Sequence, residues 1–154
     1  MTTSKIKFDY VGVCTDSPKS AYFGIILSPH SRKNMNFFEG HSFDELGSAT
    51  ISGILTRGYV TFTKEYKRKH RVINIIEGRA FVPPLRQIEY YGKMDKTFRA
   101  ETGELEKLRS IQSYNGKYFF KWLPNFRGLF VLQSGANIKK DLEAELIRYV
   151  EMFS

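Results

Sequence analysis

From Tyr22 to Leu132 the apolar positions recur mostly every second residue, in short runs separated by turn-forming residues. That is the period of strands with one face buried. Tyr22–Leu27 is a strand pattern stopped at Ser28-Pro29, and Asn34–Gly40 predicts another. Phe43–Gly47 predicts a turn-rich connection. Ala49, Ile51, Gly53 and Leu55 alternate with Thr50, Ser52, Ile54 and Thr56, and Arg57-Gly58 marks a tight hairpin. Val60, Phe62, Lys64 and Tyr66 then share one face, with Tyr59, Thr61, Thr63 and Glu65 on the other. Threonines suit a solvated strand face, which makes the Val60 face the inner one. Val72–Ile76 is a β candidate, and Val82–Leu85 predicts a break. Gln87–Lys93 places Ile88, Tyr90 and Gly92 together. Tyr114, Tyr118, Phe120 and Trp122 share a face, Asn125–Gly128 predicts a turn, and Leu129–Leu132 a strand. Before Tyr22, Ile6, Phe8 and Tyr10 alternate until Asp16–Lys19 interrupts them.

The period changes at the end. Ile138, Leu142, Leu146, Tyr149, Val150 and Phe153 recur at helical spacing among charged residues, predicting an amphipathic helix over about 137–153 with Asn137 as its N-cap. About eight short strands with regular turns, then one helix, predict a mainly antiparallel all-β domain closed as an up-and-down barrel. Closure removes exposed strand edges, and a barrel of about eight strands holds either packed side chains or one small ligand.

The chain has 154 residues, 15% of them aromatic, which suits one domain rich in strands and excludes simple disorder. No apolar run is long enough for a membrane-spanning helix, and the first residues lack the apolar core of a signal peptide. Cys14 is the sole cysteine, so the chain carries no internal disulfide framework or multi-cysteine zinc site. A cytoplasmic location is the default expectation.

Several fragments, taken in order, resemble the lipocalin/avidin-like (calycin-type) barrels, and within them a bacterial-type lipocalin-like subgroup. Tyr22–Leu27 looks like their aromatic-x-Gly opening strand, and Phe43–Gly47 followed by Ile51-Ser52-Gly53 is similar to their second hairpin. Phe62–Tyr66 is similar to a Phe-x-Lys-x-Tyr strand, and Ile88–Gly92 to a Tyr-x-Gly strand. Tyr114–Tyr118 resembles a Gly-x-Trp strand with Tyr118 in place of Trp, and Gly128–Leu132 the closing strand. The resemblance spans about residues 21–133 and implies an up-and-down barrel with a central cavity. Residues 67–86 and 93–110 are longer than the connections of that pattern. Such barrels carry many functions, so no single ligand follows.

Net charge is +8, and residues 57–99 hold eleven Lys or Arg against four acids. Such a field attracts polyanions, and it also serves solubility alone. The densest run, Lys67, Arg68, Lys69, His70 and Arg71, is either a phosphate- or acidic-partner patch or a solvated hairpin tip.

Lys64 falls on the inward face of its strand. A buried ammonium is costly unless paired. The functional reading makes Lys64 an anchor for an anionic ligand head group, with Tyr66 and Tyr90 as hydroxyl donors. The alternatives are a structural pair with Asp44 or Glu39, or snorkelling at the barrel end. Phe37, Phe62, Tyr66, Tyr90, Tyr118, Phe120 and Trp122 either line a pocket or fill a solid core. No catalytic motif or P-loop is present, and no cofactor is expected. His41 with Asp44 is at most a weak metal pair. The leading expectation is non-catalytic binding of a small, partly apolar ligand, neutral or anionic, by Lys64, Tyr66, Tyr90, Trp122, Phe62 and Tyr118. The alternative is a basic module for nucleic acid or an acidic protein through Lys67, Arg68, Lys69 and Arg71. A cavity-shaped isomerase-like enzyme comes third.

Overall fold

The computed structural model describes residues 6–15, 21–34, 36–56, 58–71, 74–76, 79–81, 84–94, 113–120 and 123–153, without the side chains of 68–86, 123–126 and 137. Among these residues ten strands form: β1 (Tyr10–Cys14), β2 (Ala21–Leu27), β3 (Phe37–Asp44), β4 (Gly47–Leu55), β5 (Tyr59–Arg71), β6 (Asn74–Ile76), β7 (Arg79–Phe81), β8 (Pro84–Met94), β9 (Ser113–Phe120) and β10 (Leu123–Ser134). Eight of them close an antiparallel barrel in the order β1-β10-β9-β8-β5-β4-β3-β2, and β6 and β7 make a separate hairpin. Apart from that excursion each strand lies beside its sequence neighbour, so the expected up-and-down barrel is the observed one. It is compatible with a calycin-like fold.

The period-two pattern places the core. Ala49, Ile51 and Leu55 on β4, and Val60, Phe62, Lys64 and Tyr66 on β5, are all buried, as are Ile88 and Tyr90 on β8 and Tyr114 and Phe120 on β9. Rings fill the middle of the barrel. Phe62 and Tyr90 stack at 4.5 Å with 11° between their planes, and Phe130 meets Tyr90 edge-on at 5.1 Å. Phe38 packs on Phe62 at 5.2 Å, and Tyr118 on Tyr90 at 5.8 Å.

Four expectations are corrected. Phe37 faces outward at 43% exposure, and its neighbour Phe38 fills the interior at 1%. With two successive phenylalanines, alternation does not say which points inward; pairing of Phe38 with Gly53 decides it. The Asn125–Gly128 turn lies instead within β10, where pairing with β9 shifts between Leu123 and Gly128. Such an irregularity absorbs turn-forming residues without ending a strand. The barrel also begins before Tyr22, because β1 pairs with both β2 and β10 and is the strand that closes it. Finally, Gly135–Asn137 form a 3-10 turn capped by Ser134, and the helix starts at Lys140, so Asn137 is not its N-cap.

Among the described residues, two helices flank the barrel. Ser28 caps α1 (Pro29–Lys33), its side chain accepting from the Ser31 amide, which turns the expected strand stop into one helical turn. The C-terminal helix α2 (Lys140–Phe153) lies against the outside of β3 and β4. Leu146 and Val150 are buried with Phe8 and Phe43, and Ile138, Leu142, Tyr149 and Phe153 pack around them. Phe43 thus belongs to a second, outer core, on the face of β3 opposite Asp44. Among the described residues, no helix is long and apolar enough to cross a membrane.

Candidate functional site

The turn between β3 and β4 positions the polar centre of the molecule. Asp44 is the last inward residue of β3, and its Oδ1 accepts the Leu46 amide at 2.8 Å, closing the turn. Gly47 follows with φ 135°, a backbone conformation that side-chain-bearing residues rarely adopt. The other carboxylate oxygen, Oδ2, accepts from Lys64 Nζ at 2.5 Å and from the Tyr66 hydroxyl at 2.6 Å. Both partners come from the inward face of β5, two residues apart. The partner that Lys64 meets is therefore Asp44, one of the two carboxylates anticipated for it.

Burial is deep. Lys64 and Tyr66 are each 2% exposed and Asp44 6%. The Lys64 ammonium also stands 4.3 Å from the Phe23 ring centroid and 5.1 Å from that of Tyr66. A desolvated cation gains from such aromatic faces. Burial, reinforced by the Asp44 carboxylate, pushes the Tyr66 hydroxyl well above its ordinary pKa. Tyr90 shifts the same way, again mainly through burial, with Cys14 and Asp44 adding to it. Both phenols are neutral donors at physiological pH. Ser42, two residues before Asp44 on the same inward face, is fully buried, and its Oγ meets no hydrogen-bond partner among the described residues.

Above this cluster the barrel opens. A cavity of about 470 Å³ is lined by Ala21, Tyr22, Asp44, Glu45, Leu46, Tyr66, Glu145 and Tyr149. Its walls come from the start of β2, the β3–β4 turn, β5 and the second half of α2. Tyr149 donates to Glu145 Oε1 at 2.8 Å across one helical turn, which fixes both at the rim. In a chain of net charge +8, this lining gathers three carboxylates and three tyrosines.

The anticipated site residues divide. Lys64 and Tyr66 come together on Asp44, and of the two Tyr66 lines the cavity. Phe62, Tyr90 and Tyr118 stack one layer deeper, within the filled part of the barrel. Trp122 lies outside the described residues. Lys67 is exposed on β5 just beyond Tyr66, and Arg68, Lys69 and Arg71 continue the same strand, their side chains undescribed. Within residues 67–86, β5 continues to Arg71 and β8 starts at Pro84, their pairing shifting register between Glu65 and His70, and β6 pairs with β7. His41 and Asp44 do not form a metal pair: His41 faces outward, Asp44 inward, as an i, i+3 spacing on a strand requires. Partial burial lowers the His41 pKa, and nearby Lys67 lowers it further.

Sequence reasoning missed Glu45, Leu46, Glu145 and Tyr149. The first two sat in a segment expected only to turn. The last two sat on a helix whose docking face was predicted, but not the part of the barrel it reaches. Compared with protein-family models, curated proteins and solved structures, the chain shows no match.

Proposed function

We propose that the chain is a non-catalytic small-molecule binding barrel whose ligand sits in the mouth, above the Asp44–Lys64–Tyr66 cluster. One observation carries this reading. A buried ion pair is poor evidence of stabilisation, since well-packed apolar residues often do as well or better. Here the carboxylate of the pair, Asp44, lines an open cavity of about 470 Å³ together with Tyr66, and the size suits a small organic molecule. The packed rings of Phe62, Tyr90 and Phe130 block deeper entry, which confines the ligand to the mouth. Tyr22, Leu46 and Tyr149 offer it an apolar and aromatic wall. Asp44, Glu45 and Glu145 offer acceptors, which favours a partly apolar ligand whose head group donates hydrogen bonds. An anionic head group would bind only by taking Lys64 from Asp44. Kinship with the lipocalin-like subgroup of calycins belongs to the same proposal and rests on the ordered sequence fragments.

Native mass spectrometry of protein purified from its own host, before and after denaturing extraction, tests the reading. A reproducible adduct is expected, absent from a Leu46→Trp variant that fills the mouth and melts like wild type. An adduct retained by that variant would place the ligand elsewhere. A bare mass in both, with no thermal shift against a panel of small amines, alcohols and carboxylates, would overturn the proposal.

A further inference from the structure

The outer face of the barrel carries a band that neither the cavity nor the basic run accounts for. Cross-strand pairing sets Phe37 beside Ile54, Ile54 beside Thr61, Thr61 beside Tyr91, Tyr91 beside Lys117, and Lys117 beside Leu129. Six strands thus present one continuous row. Its apolar members are open to solvent: Phe37 43%, Ile54 45%, Tyr91 46% and Leu129 49%. Tyr59, at 39%, stacks on Tyr91 with centroids 6.2 Å apart and 26° between planes. Helix α2 covers the apolar outer face near Phe43 and Ile26, and leaves this band uncovered.

Charge identifies what such a band would hold. The cross-strand partner of Tyr59 is Lys93, and that of Tyr91 is Lys117. Both lysines are exposed. Arg127 lies 4.8 Å from the Phe119 ring centroid one row further along, where Glu89 pairs with Phe119 and Glu39 lies on the same row three strands away. Lysines and an arginine alternate with aromatic rings at the spacing of adjacent strands. A neutral apolar partner would leave these cations unmatched. A single-stranded nucleic acid matches both, since bases stack on the rings while phosphates meet the cations. Duplex edges are already stacked and give the rings nothing to hold. We infer that the outer face of β5, β8 and β9 binds single-stranded nucleic acid, through base stacking on Tyr59 and Tyr91 and phosphate contacts from Lys93, Lys117 and Arg127.

Fluorescence anisotropy with labelled twelve-nucleotide oligo-dT and oligo-U tests this, with a duplex of equal length for comparison. Three phosphate contacts on a single strand give a log–log salt slope of about −2, so affinity should fall roughly 15- to 20-fold between 50 and 200 mM salt. Tyr91→Ala should weaken binding about tenfold, and Tyr91→Phe, which keeps the ring, should bind as wild type. Lys93→Gln with Lys117→Gln should lower the salt slope by about 1.4. These side chains are on the surface, so melting temperatures should hardly move; if Tyr91→Ala fails to fold, the lysine variants still decide the matter. No binding at 50 mM salt would overturn the inference. So would binding indifferent to Tyr91→Ala but abolished by charge reversal at Lys67, Arg68 and Lys69. Polyglutamate binding as tightly as the oligonucleotides would point to an acidic protein partner, and would overturn it too.

Discussion

Asp44 is the residue on which the interior depends. Its two oxygens take three hydrogen bonds, from the Leu46 amide, the Lys64 ammonium and the Tyr66 hydroxyl. Removing either charge alone leaves the other buried and uncompensated. Lys64→Met and Asp44→Asn should each destabilise by about 3–5 kcal/mol. The double variant Lys64→Met/Asp44→Asn should be more stable than the sum of the single losses predicts. Denaturant unfolding of all four proteins gives the coupling energy. Strictly additive losses would mean that the ion pair is not a unit. This pair was half visible in the sequence. Alternation put Lys64 inside and named Asp44 among its possible partners. That choice needed the strand register, because Asp44 and Lys64 are twenty positions apart.

At the scale of elements, the β3–β4 hairpin joins fold to site. Its two-residue turn, Glu45-Leu46, is held by the Asp44 side chain on one side and by Gly47 at φ 135° on the other. Gly47→Ala should cost about 1–3 kcal/mol through backbone strain. Because the same turn carries Asp44, Glu45 and Leu46, the variant should also lose mouth ligand affinity. Thermal unfolding with and without the co-purified ligand separates the two effects. A Gly47→Ala protein with wild-type stability would show that the turn has an alternative geometry. The strands themselves were well anticipated wherever one face was apolar and the other polar, as on β4 and β5. Anticipation failed where both faces carry large side chains, at Phe37-Phe38. It failed again where a turn-like composition lies inside a strand, at Asn125–Gly128. There the pairing with β9 shifts register between Leu123 and Gly128, so the strand continues through an irregularity that local composition reads as a turn.

At the scale of the whole molecule, the described residues form two cores, one inside the barrel and one between its outer wall and α2. Leu146 is fully buried in the second. Leu146→Ala should cost about 2–5 kcal/mol. For a domain of this size that lowers the melting temperature by roughly 5–15 °C. It should also weaken mouth binding, since Glu145 and Tyr149 on the same helix line the cavity. Loss of binding without loss of stability would mean that the helix is only loosely docked. The predicted helical stripe already marked Leu146 and Val150 as a docking face. It did not say that docking would bring Tyr149 to the rim.

Taken alone, the amino-acid sequence determined the strands with one polar face, the final helix and the inward position of Lys64, Tyr66 and Tyr90. Each of these follows from a period of two or 3.6 residues, which is a property of neighbouring positions. Tertiary structure decided the closure through β1, the meeting of Asp44 with Lys64 and Tyr66, and the arrival of Glu145 and Tyr149 at the mouth. It also aligned Tyr59, Tyr91, Lys93 and Lys117 on one outer face. Those depend on register and closure, which couple residues far apart in the chain and leave no local period to mark them.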